Sequence, residues 1–331
     1  MKRNVSKKLI STLVAATLML GSFSMNAYAK EQNNQFEGKV SIGDFGLYTK
    51  IAGKGKISVV FDSGYGDGIN TDSDPKKGWG EIQQKISEYA RTVTYDRAGL
   101  GKSDDTANRE PLNDIDRQLL MNNKFSSVSY DSSIFKKGNG KTAMDKARNL
   151  HALLKAKGVK APYLLVAHSI GSFDAVEFTK LYPKEVAGII MVDGSGKHVM
   201  GDMMNFINSD MPEMKEAFVG QFTKADGTID EQLQSEQQVY QAGDILRNLP
   251  LTYLSAVDEG MGPIYQAVVN AEQEDWLSCS NYSKRIPVPN SGHYIYRDQP
   301  QYVVNAIKDM INTIENKNSQ HKDNNYLAMQ K

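Results

Sequence analysis

Ser169 is the residue of this sequence whose surroundings best fit a catalytic nucleophile. It lies in the run AHSIG (167–171), between an apolar segment (PYLLVAH, 162–168) and an amphipathic one (172–183). A serine between small residues, on a tight turn from a buried strand into a helix, has its hydroxyl lifted above the sheet. Ala167 stands where such turns usually carry glycine and adds one methyl group. We therefore predict a nucleophile, with a helix N-cap as the alternative role.

The helix predicted after Ser169 adds a second feature. Its first backbone N–H groups point at the same place, and the positive end of the helix dipole favours negative charge there. The N–H of Ile170 is therefore an expected donor to the oxyanion that would form when a serine attacks a carbonyl.

A serine hydroxyl needs a base, and His293 is the best-placed histidine. It lies in NSGHYIY (290–296), after the last predicted strand and before the last predicted helix. Its alternative role is a loop histidine that bonds only to backbone. The other four lie within a predicted helix, beside the serine, at the start of a helical insertion and in the polar tail: His151, His168, His198 and His321.

Two acids are candidates to orient the histidine ring. Such an acid has to end a strand near that of the serine. Asp193 ends AGIIMVD (187–193), whereas Asp258, with Glu259 beside it, follows LTYLSAV (251–257). Asp193 can instead shape the turn DGSG, and Asp258 can be a solvated loop charge. The residues alone leave both open.

Strand-like and helix-like segments alternate along the chain, which predicts an α/β fold with a mostly parallel sheet covered by helices on both faces. The strand-like runs, besides the three above, are KISVVFDS (56–63), TVTYD (92–96) and KRIPVPN (284–290). Apolar residues at three and four spacing predict helices over 80–90, 141–158, 172–183 and 299–315. GKVSI (38–42) and LYTKIAG (47–53) predict an antiparallel hairpin at the start of the sheet.

The remaining segments set the domain organisation. The predicted core comprises residues 30–195 and 249–315, with a polar, irregular insertion at 104–139. Residues 196–248 are helix-like and rich in methionine, which predicts a helical cap. The polar tail, 316–331, is expected to be disordered.

Residues 1–29 are predicted to be a signal peptide, cleaved after Ala29. A basic start (Lys2, Arg3, Lys7, Lys8) precedes an apolar run that is too short to span a membrane, and Ala27-Tyr28-Ala29 fits the cleavage site. We therefore expect a secreted protein with no stable membrane anchor after cleavage.

The chain has 39 basic and 39 acidic residues, so loss of a leader with four basic and no acidic residues leaves a net charge of −4. This balance argues against nucleic acid as a partner.

The remaining motifs give no evidence of a cofactor or a metal. The run GLGKS (99–103) lacks the first glycine of a phosphate-binding loop, because Asp96 stands in its place. No group of His, Cys or carboxylate residues has metal-ligand spacing. Cys279 is the only cysteine, which excludes an internal disulfide, and it is expected to be a buried, inert thiol.

Five segments, in this order, resemble the α/β-hydrolase superfamily and its secreted esterase-like members: VVFDSGYGDG, RTVTYDRAGLGKSD, APYLLVAHSIGSF, YPKEVAGIIMVDGS and NSGHYIYRDQPQYVVNAI. The resemblance covers about residues 36–315. It implies that Ser169 is the nucleophile and His293 the base, and it favours Asp193 over Asp258 as the acid. It also matches SGYG (63–66) to the usual His-Gly loop, so that Tyr65 N–H would be the second oxyanion donor.

The resemblance predicts an exported serine hydrolase that cleaves carboxylic esters through a Ser-His-Asp triad and an acyl-enzyme. The expected partner is a small ester with an apolar acyl part, since the cap offers methionine and phenylalanine side chains at 200, 203, 204, 206, 211, 214 and 218. These side chains can equally pack the cap on the core. Alternatives are an amidase or peptidase with the same triad, or a lyase or haloperoxidase-like enzyme on the same fold.

Overall fold

A computed structural model describes residues 35–69 and 78–329, and within them eight strands form one sheet. The strands are β1 (Phe36–Ser41), β2 (Gly46–Ala52), β3 (Ser58–Asp62), β4 (Arg91–Tyr95), β5 (Tyr163–His168), β6 (Val186–Val192), β7 (Leu251–Ala256) and β8 (Ser283–Val288). Their order across the sheet is β1-β2-β4-β3-β5-β6-β7-β8. The β1–β2 hairpin is antiparallel, as predicted, and β2 pairs antiparallel with β4, whereas the strands from β4 to β8 are parallel.

The helices of this part of the chain are α1 (Gly80–Ser87), α2 (Asp114–Met121), α3 (Ala143–Ala156), α4 (Gly171–Leu181), α5 (Val199–Asp210), α6 (Lys215–Gly220), α7 (Ile229–Tyr240), α8 (Pro263–Ser278), α9 (Ile295–Asp298) and α10 (Pro300–Met329). Single turns of 3₁₀-helix cover Phe125–Ser127, Ser132–Phe135 and Pro212–Met214. The predicted α/β architecture is confirmed.

Alternate side chains of the central strands pack on opposite faces of the sheet, which is why the strands have continuous apolar runs. On β5, Leu165 belongs to the cluster formed with α3 and α4, whereas Leu164 and Val166 belong to the cluster formed with α1 and α10. Every residue of β5 is buried. The strand that leads to Ser169 is therefore fixed from both sides.

The insertion at 104–139 is more ordered than expected. It contains α2 and two 3₁₀ turns, and Leu120 and Phe125 pack with Met200 and Leu233 of residues 196–248, called the cap, in a third apolar cluster. Its polar composition is explained by ion pairs with the cap, such as Arg117 with Asp230. This insertion therefore supports the cap instead of forming an irregular loop.

The C-terminal segment also differs from expectation. α10 continues to Met329, so the predicted disordered tail is helical up to that residue. No glycine or proline follows Pro300, so nothing in the backbone chemistry interrupts the helix. The predicted leader, 1–29, lies outside the described residues. Within residues 35–69 and 78–329, no helix is both long enough and apolar enough to cross a membrane.

Candidate active site

Ser169 occupies the turn between β5 and α4 in a left-handed backbone conformation. Its φ is 53°, in a region that residues other than glycine rarely adopt, and the φ of Asp193, which follows β6, is 46°. Such conformations persist where surrounding structure fixes them. Here Ser169 O accepts hydrogen bonds from Ser172 N at 3.0 Å, Ser172 Oγ at 2.8 Å and Ser195 N at 3.0 Å. The serine is partly exposed at the end of its buried strand.

Two glycines allow the loop 63–66 to approach this turn. A Cβ on Gly64 would lie 2.7 Å from His168 Nδ1 and 3.2 Å from Ser169 Cβ, and one on Gly171 would lie 2.7 Å from Ser63 O. Only glycine fits without a shift of the neighbouring atoms. The loop that carries Tyr65 is therefore packed directly against the serine turn.

His293 and Asp193 come together at the carboxyl ends of β8 and β6. His293 Nδ1 lies 2.8 Å from Asp193 Oδ2, and the other carboxylate oxygen, Oδ1, accepts the N–H of Ala256 at 3.0 Å. Burial lowers the pKa of His293, but the hydrogen bond and the charge of Asp193 outweigh that effect and raise the pKa above its ordinary value. The carboxylate is thus fixed from two sides and stabilises the protonated ring.

The alternative acid, Asp258, does not reach the histidine. It is exposed, and its Oδ1 caps its own loop by accepting the N–H of Gly260 at 2.8 Å. The neighbouring Glu259 points inward instead, with Oε2 3.8 Å from His293 Nδ1 and 3.3 Å from Tyr265 Oη. Burial and the charge of Asp193 raise the pKa of Glu259 to about 7. A second carboxyl group therefore faces the same ring nitrogen.

The fully buried His168 connects the serine turn to the histidine loop. Its Nε2 lies 3.0 Å from the carbonyl oxygen of His293, and the two ring centroids are 4.6 Å apart. Burial, with the nearby His293 charge, holds the pKa of His168 well below its ordinary value, so the ring is neutral. The Nε2–H tautomer then donates to His293 O, which ties the histidine loop to β5.

The serine hydroxyl lies 3.4 Å from Ser195 Oγ. Ser195, which the sequence analysis did not single out, lies two residues after Asp193. No acceptor among the described residues takes a hydrogen bond from the backbone N–H of Tyr65 or of Ile170. Ile170 precedes α4, where the first N–H groups of a helix have no partner within the helix. Both proposed donors are therefore available beside the serine turn.

A cleft of about 70 Å³ adjoins His293. Its apolar wall comes from α5 and α8, with Met203 and Phe206 facing Val268 and Val269, and Glu259 and Glu272 add carboxyl groups. Of the cap residues predicted to form an apolar surface, Met203 and Phe206 line the cleft, whereas Met200 packs in the cap core and Met214 is exposed. The sequence analysis did not predict α8 or its contribution to the cleft, although Gly262-Pro263 and the spacing of Ile264 and Val268 signal a helix start.

Arg97 is the centre of a buried ionic network that sequence reasoning also missed. All five of its N–H groups donate hydrogen bonds, to Asp62, to Asp226 twice, and to the carbonyls of Ser63 and Gly64. Burial alone would raise the pKa of Asp226, but the charges of Arg97 and Lys146 outweigh it and lower the pKa. Arg97 lies in RTVTYDRAGLGKSD, one of the five segments that resemble the superfamily, but Asp226 has no signal of its own in the sequence.

A metal ion and the histidine–acid pair would compete for the same atoms. Ligand atoms of Asp193, Glu259 and His293 lie within 4.8 Å of one another, a grouping that spacing in the sequence did not indicate. His293 Nδ1 can bind a cation only if its hydrogen bond to Asp193 opens.

Cys279 lies away from these residues and is half-buried, not buried as predicted, with Sγ 2.8 Å from Lys197 Nζ. The residues GLGKS form turns between β4 and α2.

Comparison with known proteins agrees with this architecture. A family model described as alpha/beta hydrolase fold matches residues 59–320, and the chain belongs to that family. An uncharacterised protein of Bacillus subtilis strain 168, YqjL, is 26% identical over 265 residues, which are 78% of this chain and 85% of that protein. Membership of the family supports hydrolase activity in general terms.

Two solved structures share the fold at low sequence identity. Alpha/beta hydrolase domain-containing protein 10 from mouse superposes with a TM-score of 0.57 at 12% identity, over 84% of this chain and 99% of that one. A thermophilic esterase from Thermogutta terrifontis gives 0.52 at 13% identity, over 85% and 98%. These similarities show the fold alone.

Proposed function

We propose that this protein is a serine hydrolase that cleaves carboxylic esters through Ser169, His293 and Asp193. The observation that carries the proposal is the 2.8 Å contact between His293 Nδ1 and Asp193 Oδ2 at the strand ends beside the left-handed Ser169. A histidine held in this way presents Nε2 as a base. Acyl transfer requires a base with a fixed tautomer, a nucleophile and hydrogen-bond donors for the oxyanion. His293, Ser169 and the N–H groups of Tyr65 and Ile170 fit these three roles.

In the proposed reaction the Ser169 hydroxyl first turns from Ser195 towards His293 Nε2. Oγ attacks the ester carbonyl while its proton passes to Nε2, and Asp193 stabilises the imidazolium that forms. The N–H groups of Tyr65 and Ile170 donate to the oxyanion. Collapse of the tetrahedral intermediate breaks the bond to the alkoxide, which takes the proton from Nε2. Water then cleaves the acyl-enzyme by the same proton route.

The apolar cleft beside His293 supports a substrate with an apolar part. Met203, Phe206, Val268 and Val269 present flexible and aromatic surface that fits an acyl chain or an apolar alcohol. We propose a small-molecule ester of this class, and neither nucleic acid nor a cofactor enters the proposed reaction. A series of p-nitrophenyl esters of increasing acyl length, with an anilide of the same acyl group, measures the preferred chain length and the ester-to-amide ratio.

Labelling with a fluorophosphonate tests the proposed nucleophile. We expect the wild-type protein to be labelled and Ser169→Ala to be unlabelled and inactive on every ester of the series. Ser58→Ala is the matched control, since Ser58 is buried and its hydroxyl donates to Lys160 O at 2.8 Å at the start of β3, away from the serine turn. Equal labelling of wild type and Ser169→Ala would overturn the proposal.

We also propose that the chain is exported and cleaved after Ala29. The basic start, the short apolar run and the small residues at the cleavage site support this proposal. N-terminal sequencing of protein recovered outside the cytoplasm is expected to begin at Lys30. Recovery of only the full-length chain inside cells would overturn it.

A further inference from the structure

The cap holds the loop of Tyr65 through side-chain and backbone contacts. Tyr65 Oη accepts the N–H of Thr223 at 2.7 Å and donates to Gly227 O at 2.9 Å. The N–H of Gly66 donates to Asp226 Oδ2 at 2.8 Å. Residues 223, 226 and 227 of the cap therefore contact the loop at the hydroxyl of Tyr65 and at the backbone of Gly66.

Arg97 fixes the peptide group that carries the Tyr65 N–H. Its Nη2 donates to Gly64 O at 2.5 Å and to Asp226 Oδ2 at 2.5 Å, and its Nε donates to Asp226 Oδ1 at 3.0 Å. The carbonyl of Gly64 and the N–H of Tyr65 belong to one planar peptide unit, so the direction of the first sets that of the second. The paired hydrogen bonds to Asp226 in turn orient the guanidinium.

The geometry points to Asp226 as a positioning residue for the oxyanion hole. It acts through Arg97 on the Gly64–Tyr65 peptide and directly on the next peptide, through Gly66 N–H. The donor proposed at Tyr65 is thus set by a cap residue 160 positions beyond Gly66 in the chain. This inference rests on the proposed function, because it concerns how the oxyanion of that reaction is bound.

Asp226→Asn would break this arrangement without changing the size of the side chain. Its amide offers one acceptor oxygen in place of two, and its NH₂ group would face an N–H of Arg97 or of Gly66. Tyr65→Phe is the milder variant, because it removes the bonds of Oη to 223 and 227 and leaves every buried charge in place. Neither variant removes the Tyr65 N–H itself.

A slower chemical step with unchanged substrate binding is the expected signature. Removal of an oxyanion donor costs about 100- to 1,000-fold in kcat, and a misdirected donor should cost less. We expect kcat on p-nitrophenyl acetate to fall about 10- to 100-fold in Asp226→Asn and a few-fold in Tyr65→Phe, with KM within about two-fold of wild type. Affinity for a trifluoromethyl ketone, whose serine adduct carries an oxyanion, should fall in parallel with kcat/KM.

Tyr163→Phe is the matched control for the tyrosine. Its hydroxyl donates to Val159 O at 2.9 Å at the start of β5, far along the strand from Ser169, so its loss removes a buried hydrogen bond without touching the loop. We expect kcat and inhibitor affinity of this variant to match wild type. Thermal unfolding of all three variants reports any common loss of stability.

The outcomes separate the inference from the proposed function. An unlabelled wild-type protein in the fluorophosphonate experiment rejects the serine mechanism itself. A labelled wild type whose kcat and inhibitor affinity are unchanged by both Asp226→Asn and Tyr65→Phe overturns the inference alone. An equal fall of kcat in Tyr65→Phe and Tyr163→Phe also overturns it, because it assigns the effect to general destabilisation.

Discussion

Asp193 Oδ2 and His293 Nδ1 lie 2.8 Å apart although 100 residues separate them in the sequence. Parallel strands bring them together, because β6 and β8 end on the same edge of the sheet as β5, which carries Ser169. The carboxylate also accepts the N–H of Ala256 at the end of β7. One acid therefore connects three neighbouring strand ends.

Removal of the Asp193 charge should slow ester turnover far more than removal of the Asp258 charge. We expect Asp193→Asn to lower kcat on the order of 10³- to 10⁴-fold, because the amide favours the wrong tautomer of His293. Asp258→Asn should stay within two-fold, since its carboxylate caps only its own loop. Steady-state kinetics of the two variants is the measurement, and a larger loss in Asp258→Asn would refute the assignment of the acid.

Glu259 should set the pH range of the reaction. The acid limb of kcat/KM reports the pKa of the base, and activity falls as His293 gains a proton. Asp193 and Glu259 both raise this pKa, so the neutral side chain of Glu259→Gln should move the limb to lower pH. Glu259, whose pKa is about 7, changes its own charge as the pH falls and so changes its effect on His293, and the wild-type limb should therefore be broader than a one-proton curve.

The exposed Glu274 provides the control for this pH shift. Glu274→Gln, which removes a surface carboxylate of α8 paired with Arg285, should leave the limb in place. A limb that stays fixed or moves to higher pH in Glu259→Gln would contradict the contribution of Glu259.

Loss of Arg97 should destabilise the fold strongly. Arg97→Met leaves the buried carboxylates of Asp62 and Asp226 without their main counter-ion, and such a change costs about 3–5 kcal/mol in free energy of unfolding. Urea denaturation measures it. Arg247→Met removes only a surface pair with Asp244 and should cost less than about 1 kcal/mol. Equal costs in the two variants would show that the network contributes no more than a surface pair.

Glu272 should make stability fall as pH rises. Burial and the nearby Asp202 raise its pKa in the folded protein to about 8, above its ordinary value of 4.5. Between these two values the folded state keeps a proton that the unfolded state has released, so unfolding becomes easier with increasing pH. We expect Glu272→Gln to reduce the fall in Tm between pH 5 and pH 8 by several degrees.

The exposed Glu213 gives the comparison for this stability effect. Glu213→Gln should follow the wild-type pH dependence, since its carboxylate is solvated in both states. If Glu272→Gln keeps the full fall in Tm, the proton is not held by Glu272.

The strands and the serine turn were predictable because their signals are local. Continuous apolar runs such as YLLVAH reflect burial on both faces, and a serine among small residues at the end of such a run marks the turn. The same locality explains why α10 was predicted only in part. The sequence beyond Asn316 is polar and lacks the apolar spacing that predicts a helix.

The ionic contacts of the site were not predictable, because they have no periodicity. Arg97 and Asp226 lie 129 residues apart, and nothing near Asp226 distinguishes it from a solvated acid. Glu259 was seen beside Asp258, but only the fold decides which of two adjacent carboxylates points inward. Sequence patterns thus predict the helices and strands, whereas the pairing of polar side chains depends on how those elements are placed relative to one another in the fold.

The left-handed backbone at Ser169 and Asp193 has an evolutionary consequence. Each position holds a side chain in a conformation that costs on the order of 1–3 kcal/mol, and glycine would adopt it freely. Selection for heat resistance alone would therefore favour glycine at both positions. If Ser169 and Asp193 act as proposed, a relative with glycine at either position would be more stable but inactive towards esters.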